Sequence, residues 1–139
     1  MQLIVYVDDN EDDFFIFKKA INEISDSYTV LQIDNPDHLF ELIKVVKPDF
    51  IFLDIKMPLM NGINCLKNIR ADKEYDGIPV IIYSTVKSFK EISYRNKANY
   101  YLEKPDSFLK ILTTLSSILS YNWREDFYPS KDKLNDLLV

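Results

Sequence analysis

The chain has 139 residues, of which 47% are hydrophobic and 28% charged, and this size and balance predict one globular domain with an ordinary hydrophobic core. The net charge of −5, without any stripe of lysine and arginine, argues against a nucleic-acid-binding face. Two glycines, one histidine and one cysteine argue against a glycine-rich phosphate loop, a histidine-rich metal site, a Ser-His-Asp triad and an internal disulfide.

Five short apolar runs predict five buried β-strands, and a segment with helical periodicity follows each of them. The predicted strands cover residues 3–7, 30–33, 50–53, 80–83 and 100–102, and the apolar positions of the predicted helices fall within 14–24, 39–46, 63–69, 89–92 and 108–119. Asn35-Pro36 predicts a capped second helix with proline at its first position. Ser88 and Glu91 form a capping-box pattern before a short fourth helix, which we expect to end at Asn96 in a left-handed turn.

The alternation of strands and helices predicts an α/β fold in which helices cover both faces of a parallel sheet. Because crossovers between parallel strands are right-handed, few windings are open to such a chain. We expect the flavodoxin-like (βα)5 three-layer sandwich, with strand order 2-1-3-4-5 and a switch point between strands 1 and 3. The domain should cover residues 1–121, and residues 122–139 should form a C-terminal extension without a separate output domain.

Three aspartates follow two strands that should be neighbours in this sheet. Asp8 and Asp9 follow strand 1, and Asp54 follows the apolar strand 3. At the carboxyl edge of a parallel sheet these carboxylates would meet, and like charges held close together raise each other's pKa unless a cation neutralises them. Carboxylate oxygens and water are ligands that suit Mg²⁺, so we expect a magnesium site here.

A simpler interpretation is available for the acidic residues near strand 1. Asp9-Asn10 would cap the first helix, and the acidic residues that follow would only favour its positive end. We adopt this interpretation for the residues of the first helical turn, Glu11, Asp12 and Asp13. For Asp8 and Asp9 we prefer the role of metal ligands.

The fourth and fifth strands also end in groups that can contact an anion. Ser84 ends strand 4, and Lys104 follows strand 5 and places a compact positive charge with three donors at the same sheet edge. Such a charge is well suited to contact a phosphoryl group. Each residue alone is a weak signal, because serine is common in turns and lysine in solvated loops. The combination is specific, because each group closes a different strand.

Taken together, these residues resemble the receiver domain of two-component response regulators. The resemblance covers roughly residues 2 to 120 and rests on the following positions: Asp8-Asp9, Asp54 followed by Met57-Pro58 and Gly62, Ser84, and Tyr101 with Lys104-Pro105. It implies that Asp54 accepts a phosphoryl group from a histidine kinase or a histidine phosphotransfer protein and forms an aspartyl phosphate. The chain would then be a phosphoacceptor switch and not an enzyme.

The resemblance also implies the metal ligands. Asp9 and Asp54 would bind Mg²⁺ directly, Asp8 would act through water, and the backbone carbonyl of Lys56 would be a further ligand. Lys104 would pair first with Asp54 and then with its phosphoryl group. The cofactor implied is therefore Mg²⁺.

The switch residues implied by the resemblance are Ser84 and Tyr101. Ser84 would move to hydrogen-bond a phosphate oxygen and Tyr101 would change rotamer with it, unless Tyr101 is only a core residue. Helix 4, strand 5 and helix 5 would report the change to a protein partner. The peptide bond between Lys104 and Pro105 would be cis, which proline makes inexpensive.

The sequence departs from the pattern of the family at two positions, and it leaves two other functions to consider. Lys56 and Val86 occupy positions at which the family varies the lifetime of its phosphoryl group, and they predict slow self-dephosphorylation. A haloacid-dehalogenase-type phosphatase is disfavoured, because it needs a second aspartate two residues after the nucleophile, where this chain has Lys56. A receiver-like interaction scaffold that is never phosphorylated remains the alternative.

The extension carries three aromatic residues, Trp123, Phe127 and Tyr128, within six positions. They either fold back over the sheet edge or helix 5, or form an exposed surface for a partner or a homodimer. We expect the partners to be a sensor histidine kinase or phosphotransfer protein and a downstream protein, without DNA or membrane contact. No apolar run is long enough to span a bilayer, and a single cysteine, Cys65, fits a reducing cytoplasm.

Overall fold

The computed structural model describes residues 2–56 and 62–136, and within them parallel strands alternate with helices. The strands are β1 (Gln2–Val7), β2 (Tyr28–Ile33), β3 (Phe50–Leu53), β4 (Val80–Ser84) and β5 (Tyr100–Glu103). The helices are α1 (Glu11–Ile24), α2 (Pro36–Val45), α3 (Gly62–Ala71), α4 (Lys90–Arg95), α5 (Phe108–Ser120) and α6 (Lys131–Asp136). Short 3-10 helices lie at Lys73–Tyr75 and Lys87–Phe89.

The sheet is parallel throughout and has the order β2-β1-β3-β4-β5, which confirms the predicted fold class. Val7 pairs with Leu53 in the register of β1 and β3, so the residues that follow them leave the sheet side by side. The backbone N–H of Asp54 donates to the Val7 carbonyl across 2.9 Å and that of Asp8 to the Ile33 carbonyl across 3.0 Å. The ladder therefore extends to the two acidic residues and fixes their positions.

The hydrophobic core lies on both faces of the sheet, as the side-chain alternation of buried strands requires. On one face Val5, Val7 and Leu53 pack against α2 and α3, and on the other Tyr6 and Phe52 pack against α1 and α5. All four residues of β3 are buried. The sheet is thus the middle layer of three, and only its ends are open to ligands.

Local sequence chemistry sets the starts of α1 and α2. The Asn10 side chain accepts a hydrogen bond from the N–H of Asp13, and the Asn35 side chain accepts from the N–H of Asp37, with Pro36 at the first helical position. Both caps follow the predicted pattern. Because α1 begins four residues after β1 ends, its first turn lies at the carboxyl edge of the sheet.

The ends of α4 differ from the prediction. The 3-10 helix Lys87–Phe89 displaces the helix start to Lys90, so Phe89 occupies the N-cap without a side-chain bond and the capping box of Ser88 and Glu91 does not form. At the other end Lys97, with φ of 69°, adopts the left-handed conformation that we expected at Asn96.

The position of the left-handed residue follows from the hydrogen bonds that close α4. The N–H of Ala98 donates to the Ser93 carbonyl and that of Lys97 to the Tyr94 carbonyl. These are the two bonds of the Schellman motif, which places the left-handed residue one position after the C-cap. Asn96 is the C-cap and donates its side-chain amide to the Ile92 carbonyl instead.

The prediction of a cis peptide bond between Lys104 and Pro105 is also wrong. Within residues 2–56 and 62–136 every peptide bond is trans. The trans form of a bond before proline is lower in free energy by about 0.5–1 kcal/mol, and the loop keeps this preferred form.

The C-terminal extension folds back onto the body of the protein. Trp123 is 4% exposed and donates its indole N–H to the Ile118 carbonyl at the end of α5, and the Asn99 side chain donates to the Phe127 carbonyl. The hydroxyl of Tyr100 reaches the Leu134 carbonyl of α6. Of the two interpretations, the structure supports packing for Trp123 and Phe127, whereas Tyr128 remains half exposed.

Candidate functional site

The site is organised around Lys104, which follows β5. Its ammonium lies 2.8 Å from Asp13 Oδ2, 3.0 Å from Asp8 Oδ2 and 3.4 Å from Asp54 Oδ2, and its side chain is only 11% exposed. Its backbone N–H donates to the Ser84 carbonyl across 2.8 Å, which fixes the loop after β5 to the end of β4. We call Asp8, Asp13, Asp54 and Lys104 the Lys104 cluster.

Asp8 is held on both carboxylate oxygens. Its Oδ2 accepts hydrogen bonds from the Tyr6 hydroxyl and from Lys104, both across 3.0 Å, and its Oδ1 accepts from the Asn10 N–H across 3.1 Å. The Gln32 side chain donates to the Asp8 backbone carbonyl. A buried carboxylate needs such partners, because an unpaired buried charge is very costly.

Asp54 is the terminal residue of the predicted strand motif and is 12% exposed at its side chain. Its Oδ1 accepts a hydrogen bond from the Lys56 N–H, and its Oδ2 faces Lys104. Burial raises the pKa of Asp54 and the charge of Asp8 adds to the rise, while Lys104 and the Lys56 N–H act in the opposite direction. The net effect is a raised pKa, so the site disfavours the charged form of the Asp54 carboxyl.

Lys104 remains protonated in this setting. Burial lowers the pKa of Lys104, but the contacts with Asp13, Asp54 and Asp8 outweigh burial and hold the pKa above its ordinary value. Three carboxyl groups then face one ammonium, so the acidic groups of the cluster outnumber the basic one. Such a donor set, made only of carboxylate oxygens, is chemically suited to a hard divalent cation.

Ser84 and Tyr101 lie on neighbouring strands. Ser84 is fully buried at the end of β4, and its hydroxyl accepts a hydrogen bond from the Val86 N–H. The Tyr101 hydroxyl is buried and has no hydrogen-bond partner of good geometry among the described residues. Burial raises the pKa of Tyr101, and the nearby Ser84 hydroxyl partly offsets the rise. An unsatisfied buried hydroxyl is unusual and calls for an explanation that core packing alone does not give.

Gly62 allows the start of α3 to lie against the backbone of Asp54 and Ile55. A Cβ on this glycine would lie 2.6 Å from the Ile55 Cα and against the Asp54 carbonyl, closer than real Cβ atoms approach. The Gly62 N–H donates to the Ile55 carbonyl across 2.8 Å. The close backbone approach therefore requires a glycine at position 62.

The structure brings some of the predicted residues together and not others. Asp8, Asp54 and Lys104 are in direct contact, whereas Asp9 is exposed. Across residues 2–56 and 62–136, no three His, Cys, Asp or Glu side chains are grouped closely enough to hold a metal ion, and the carboxylates of Asp8, Asp13 and Asp54 each contact the Lys104 ammonium instead. Met57 and Pro58 of the predicted motif lie outside the described residues.

Sequence reasoning missed two members of the site. Asp13 was interpreted as only favouring the positive end of α1, yet it makes the shortest contact with Lys104. Tyr6, two residues before Asp8, lies on the same face of β1 and reaches its carboxylate. Because side chains alternate along a strand, Tyr6 shares a face of β1 with Asp8, and this spacing could have indicated its contact. Asp13 lies three residues after the helix cap Asn10, in the first turn of α1, and this position could have indicated its place at the sheet edge.

The sequence matches the family model described as the response regulator receiver domain over residues 4–116. The chain belongs to this family. Receiver domains are phosphoacceptor switches of two-component signalling, are phosphorylated by histidine kinases or phosphotransfer proteins, and typically bind Mg²⁺ or Mn²⁺ at the phosphorylation site. No helix of the described residues is long and apolar enough to cross a bilayer.

Relatives of similar length carry the resemblance along most of the chain. Protein PilH of Pseudomonas aeruginosa is 30% identical over 122 residues, which are 86% of this chain and 99% of that protein. The polar-differentiation response regulator DivK of Brucella anthropi is 27% identical over 118 residues, 84% of this chain and 94% of that protein. By contrast, the match to a protein-glutamate methylesterase of Vibrio vulnificus covers only 22% of that longer protein.

Solved structures support the fold. The phosphorylated cyanobacterial phytochrome response regulator RcpA superposes with a TM-score of 0.80 at 22% identity. The superposition covers 93% of this chain and 99% of the RcpA chain. The Mn²⁺-bound response regulator Rcp1 gives a TM-score of 0.77 at 19% identity, with coverage of 94% and 100%. At such identities the likeness concerns the fold alone.

Proposed function

We propose that this chain is a response regulator that accepts a phosphoryl group on Asp54 and signals by binding another protein. The observation that carries the proposal is the position of Asp54, at the end of a fully buried strand with its carboxylate 3.4 Å from the Lys104 ammonium. The donor would be a sensor histidine kinase or a histidine phosphotransfer protein. The single buried cysteine, Cys65, suits a cytoplasmic setting.

In the transfer step a carboxylate oxygen of Asp54 attacks the phosphorus atom of a phosphohistidine. The P–N bond breaks and its electron pair returns to the imidazole of the donor, so that an aspartyl phosphate forms. Lys104 would stabilise the negative charge on the equatorial phosphoryl oxygens, and the Lys56 N–H orients the carboxylate. We propose Asp54, Lys104 and Ser84 as the catalytic residues, with the Ser84 hydroxyl as a hydrogen-bond donor to a phosphoryl oxygen.

The excess of carboxyl groups over ammonium in the Lys104 cluster suits a divalent cation, and we infer that Mg²⁺ is the one used. Asp9 and Asp54 would hold it directly, Asp8 through water, and the backbone carbonyl of Lys56 as a further ligand. When bound, the ion supplies neutralisation of the transferring phosphoryl group. Asp8 already binds Tyr6 and Lys104, which favours a role through water for this residue.

The switch would act through Ser84 and Tyr101. A phosphoryl group on Asp54 adds about one negative charge and three acceptor oxygens, which attract the Ser84 hydroxyl. Because the Ser84 carbonyl accepts from the Lys104 N–H, the two loops would move together. The buried, unpaired Tyr101 hydroxyl would gain a partner in the other loop state, and the surface of α4, β5 and α5 would report the change to a target protein.

The test is the intact mass of the purified protein after incubation with acetyl phosphate and Mg²⁺, with and without a chelator. A Mg²⁺-dependent gain of one phosphoryl group, absent in Asp54→Asn and present in Asp26→Asn on the exposed turn before β2, is the expected result. A gain in Asp54→Asn would move the acceptor elsewhere. No gain under any condition would favour the interaction scaffold that is not regulated by phosphorylation.

A further inference from the structure

The Lys104 ammonium is shared unequally among three carboxylates. Its distance to Asp13 is 2.8 Å, whereas its distance to Asp54 is 3.4 Å. Asp13 is the most exposed of the three carboxylates, with 38% of its side chain accessible, while Lys104 is 11% exposed. The ammonium is therefore drawn from the acceptor toward the start of α1.

Asp13 holds this position because the first turn of α1 is itself fixed. The Asn10 side chain accepts a hydrogen bond from the Asp13 N–H across 2.9 Å, and the Asn10 N–H donates to Asp8 Oδ1. The helix start, Asp8 and Lys104 are thus linked in one network. An acidic residue placed only to favour the helix dipole would need no such contact with a lysine of another element.

We propose that Asp13 is a positioning residue that holds the Lys104 ammonium away from Asp54 before phosphorylation and competes with the phosphoryl group for it afterwards. The inference rests on the proposed phosphorylation of Asp54. Lysine presents a mobile point charge with three donors, so it can exchange one carboxylate for a phosphoryl oxygen without rearranging the backbone. Lys104 must give up its contact with Asp13 before it can contact the phosphoryl group. The free energy of that contact lowers the amount of phosphorylated protein at a given donor concentration.

The contact should have a modest effect, because Asp13 is partly exposed and such ion pairs are weak. With acetyl phosphate and saturating Mg²⁺, Asp13→Asn should raise the steady-state ratio of phosphorylated to unphosphorylated protein roughly two- to fivefold. The matched control is Asp12→Asn, which removes the same charge from the same helical turn. Asp12 is exposed and forms no ion pair within the described part of the chain, so its ratio should change by less than about twofold.

A second measurement does not depend on phosphoryl transfer. Calorimetric titration with MgCl₂ alone should show weaker Mg²⁺ binding in Asp13→Asn than in Asp12→Asn, by roughly two- to fivefold. The reason is that the Lys104 cluster loses one carboxylate and the released ammonium then competes with the cation for the remaining two. A change in helix stability alone would affect both variants alike.

The outcomes separate the two hypotheses. If wild-type protein is phosphorylated and the two variants are alike in both measurements, the role of Asp13 is overturned while the proposed function stands. If wild-type protein takes no phosphoryl group but Mg²⁺ binding weakens only in Asp13→Asn, the proposed function fails and the hold of Asp13 on Lys104 is supported. Circular dichroism checks folding, and Asp13→Ser replaces Asp13→Asn if the latter is unfolded.

Discussion

Two buried tyrosine hydroxyls near the Lys104 cluster have opposite surroundings. The Tyr6 hydroxyl donates to Asp8, whereas the Tyr101 hydroxyl has no partner of good geometry within the described residues. A hydrogen bond contributes about 0.5–1.5 kcal/mol net, and an unsatisfied buried polar group costs about 1–3 kcal/mol. The two hydroxyls should therefore affect the free energy of unfolding with opposite signs.

Replacing each tyrosine by phenylalanine tests this contrast, because each variant loses one oxygen atom only. In the unphosphorylated protein, Tyr6→Phe should lower the free energy of unfolding by about 1 kcal/mol, and Tyr101→Phe should leave it equal or raise it by up to about 1 kcal/mol. Urea denaturation measures both, and each variant is the control for the other. A destabilising Tyr101→Phe would mean that the hydroxyl is already paired.

The raised pKa of Asp54 predicts a pH dependence of stability. A carboxyl whose pKa is higher in the folded than in the unfolded protein stabilises the fold below its unfolded pKa, near 3.8, and loses that contribution as the pH rises through its folded pKa. Asp54→Asn should therefore be more stable than wild type at pH 7 in the presence of a chelator. The difference should shrink toward pH 3.5, and Mg²⁺ should narrow it at pH 7.

Thermal unfolding of the two proteins across this pH range is the measurement, and the exposed-turn variant Asp26→Asn is the control for net charge. An Asp54→Asn protein that is less stable at pH 7 would show that the Lys104 contact outweighs burial at Asp54.

The lifetime of a phosphoryl group on the proposed acceptor Asp54 should depend on Lys56, which lies two residues after it. The Lys56 ammonium can pair with the phosphoryl group and shield it, and Val86 offers no polar group to orient a water. We expect self-dephosphorylation over minutes or longer and faster loss in Lys56→Met, which keeps most of the side-chain stem. Mass spectrometry after donor removal follows the decay, and a wild-type lifetime of a few seconds would contradict the expectation.

At the scale of elements, the approach of α3 to the end of β3 depends on the absence of a side chain at Gly62. Gly62→Ala should lower the free energy of unfolding by about 1–3 kcal/mol, because the added methyl group meets the backbone of Asp54 and Ile55. It should also slow phosphorylation, since the proposed acceptor Asp54 is displaced. Gly77→Ala is the matched control, because its Cβ would have no neighbour within 4 Å. Equal effects of both substitutions on stability would refute the close-approach argument.

How well the sequence predicted each element depended on how local its determinants are. Strand β3 was predicted to the residue, because an unbroken apolar run ends at a single carboxylate. The meeting of Asp8, Asp54 and Lys104 followed from topology, since parallel strands end at one edge. The left-handed residue of α4 was misplaced by one position, because the hydrogen bonds that close the helix place it at Lys97, after the C-cap Asn96.

At the scale of the whole molecule, the extension and the Lys104 cluster occupy opposite edges of the sheet. The extension packs near residues that precede the strands, such as Asn99 before β5, whereas the cluster follows the strands. Arg70 reinforces this edge by donating to the Asn99 side chain and lying over the Phe127 ring, with its Cζ 5.5 Å from the ring centroid. No periodic pattern in the extension predicted α6, because contacts with distant parts of the chain set the position of this helix.

Trp123 should be the main anchor of the extension. Trp123→Ala should lower the free energy of unfolding by about 3–5 kcal/mol, because a buried ring and its hydrogen bond to Ile118 are lost. Tyr128→Ala, at a half-exposed ring, should cost much less. Denaturant titration measures both, and sedimentation checks self-association. If Trp123→Ala keeps full stability but changes the oligomeric state, the extension is an interface and not a cover.

The same tryptophan gives the protein an intrinsic optical probe. Trp123 is the single tryptophan of the sequence, and its ring is enclosed between the end of α5 and Tyr121, whose ring centroid is 4.7 Å away. Its fluorescence therefore reports how the extension packs, at the end of the sheet opposite Asp54, which would receive the phosphoryl group. An emission shift on phosphorylation would mean that α5 transmits the signal along its length, and an unchanged spectrum would confine the response to the opposite end of the sheet.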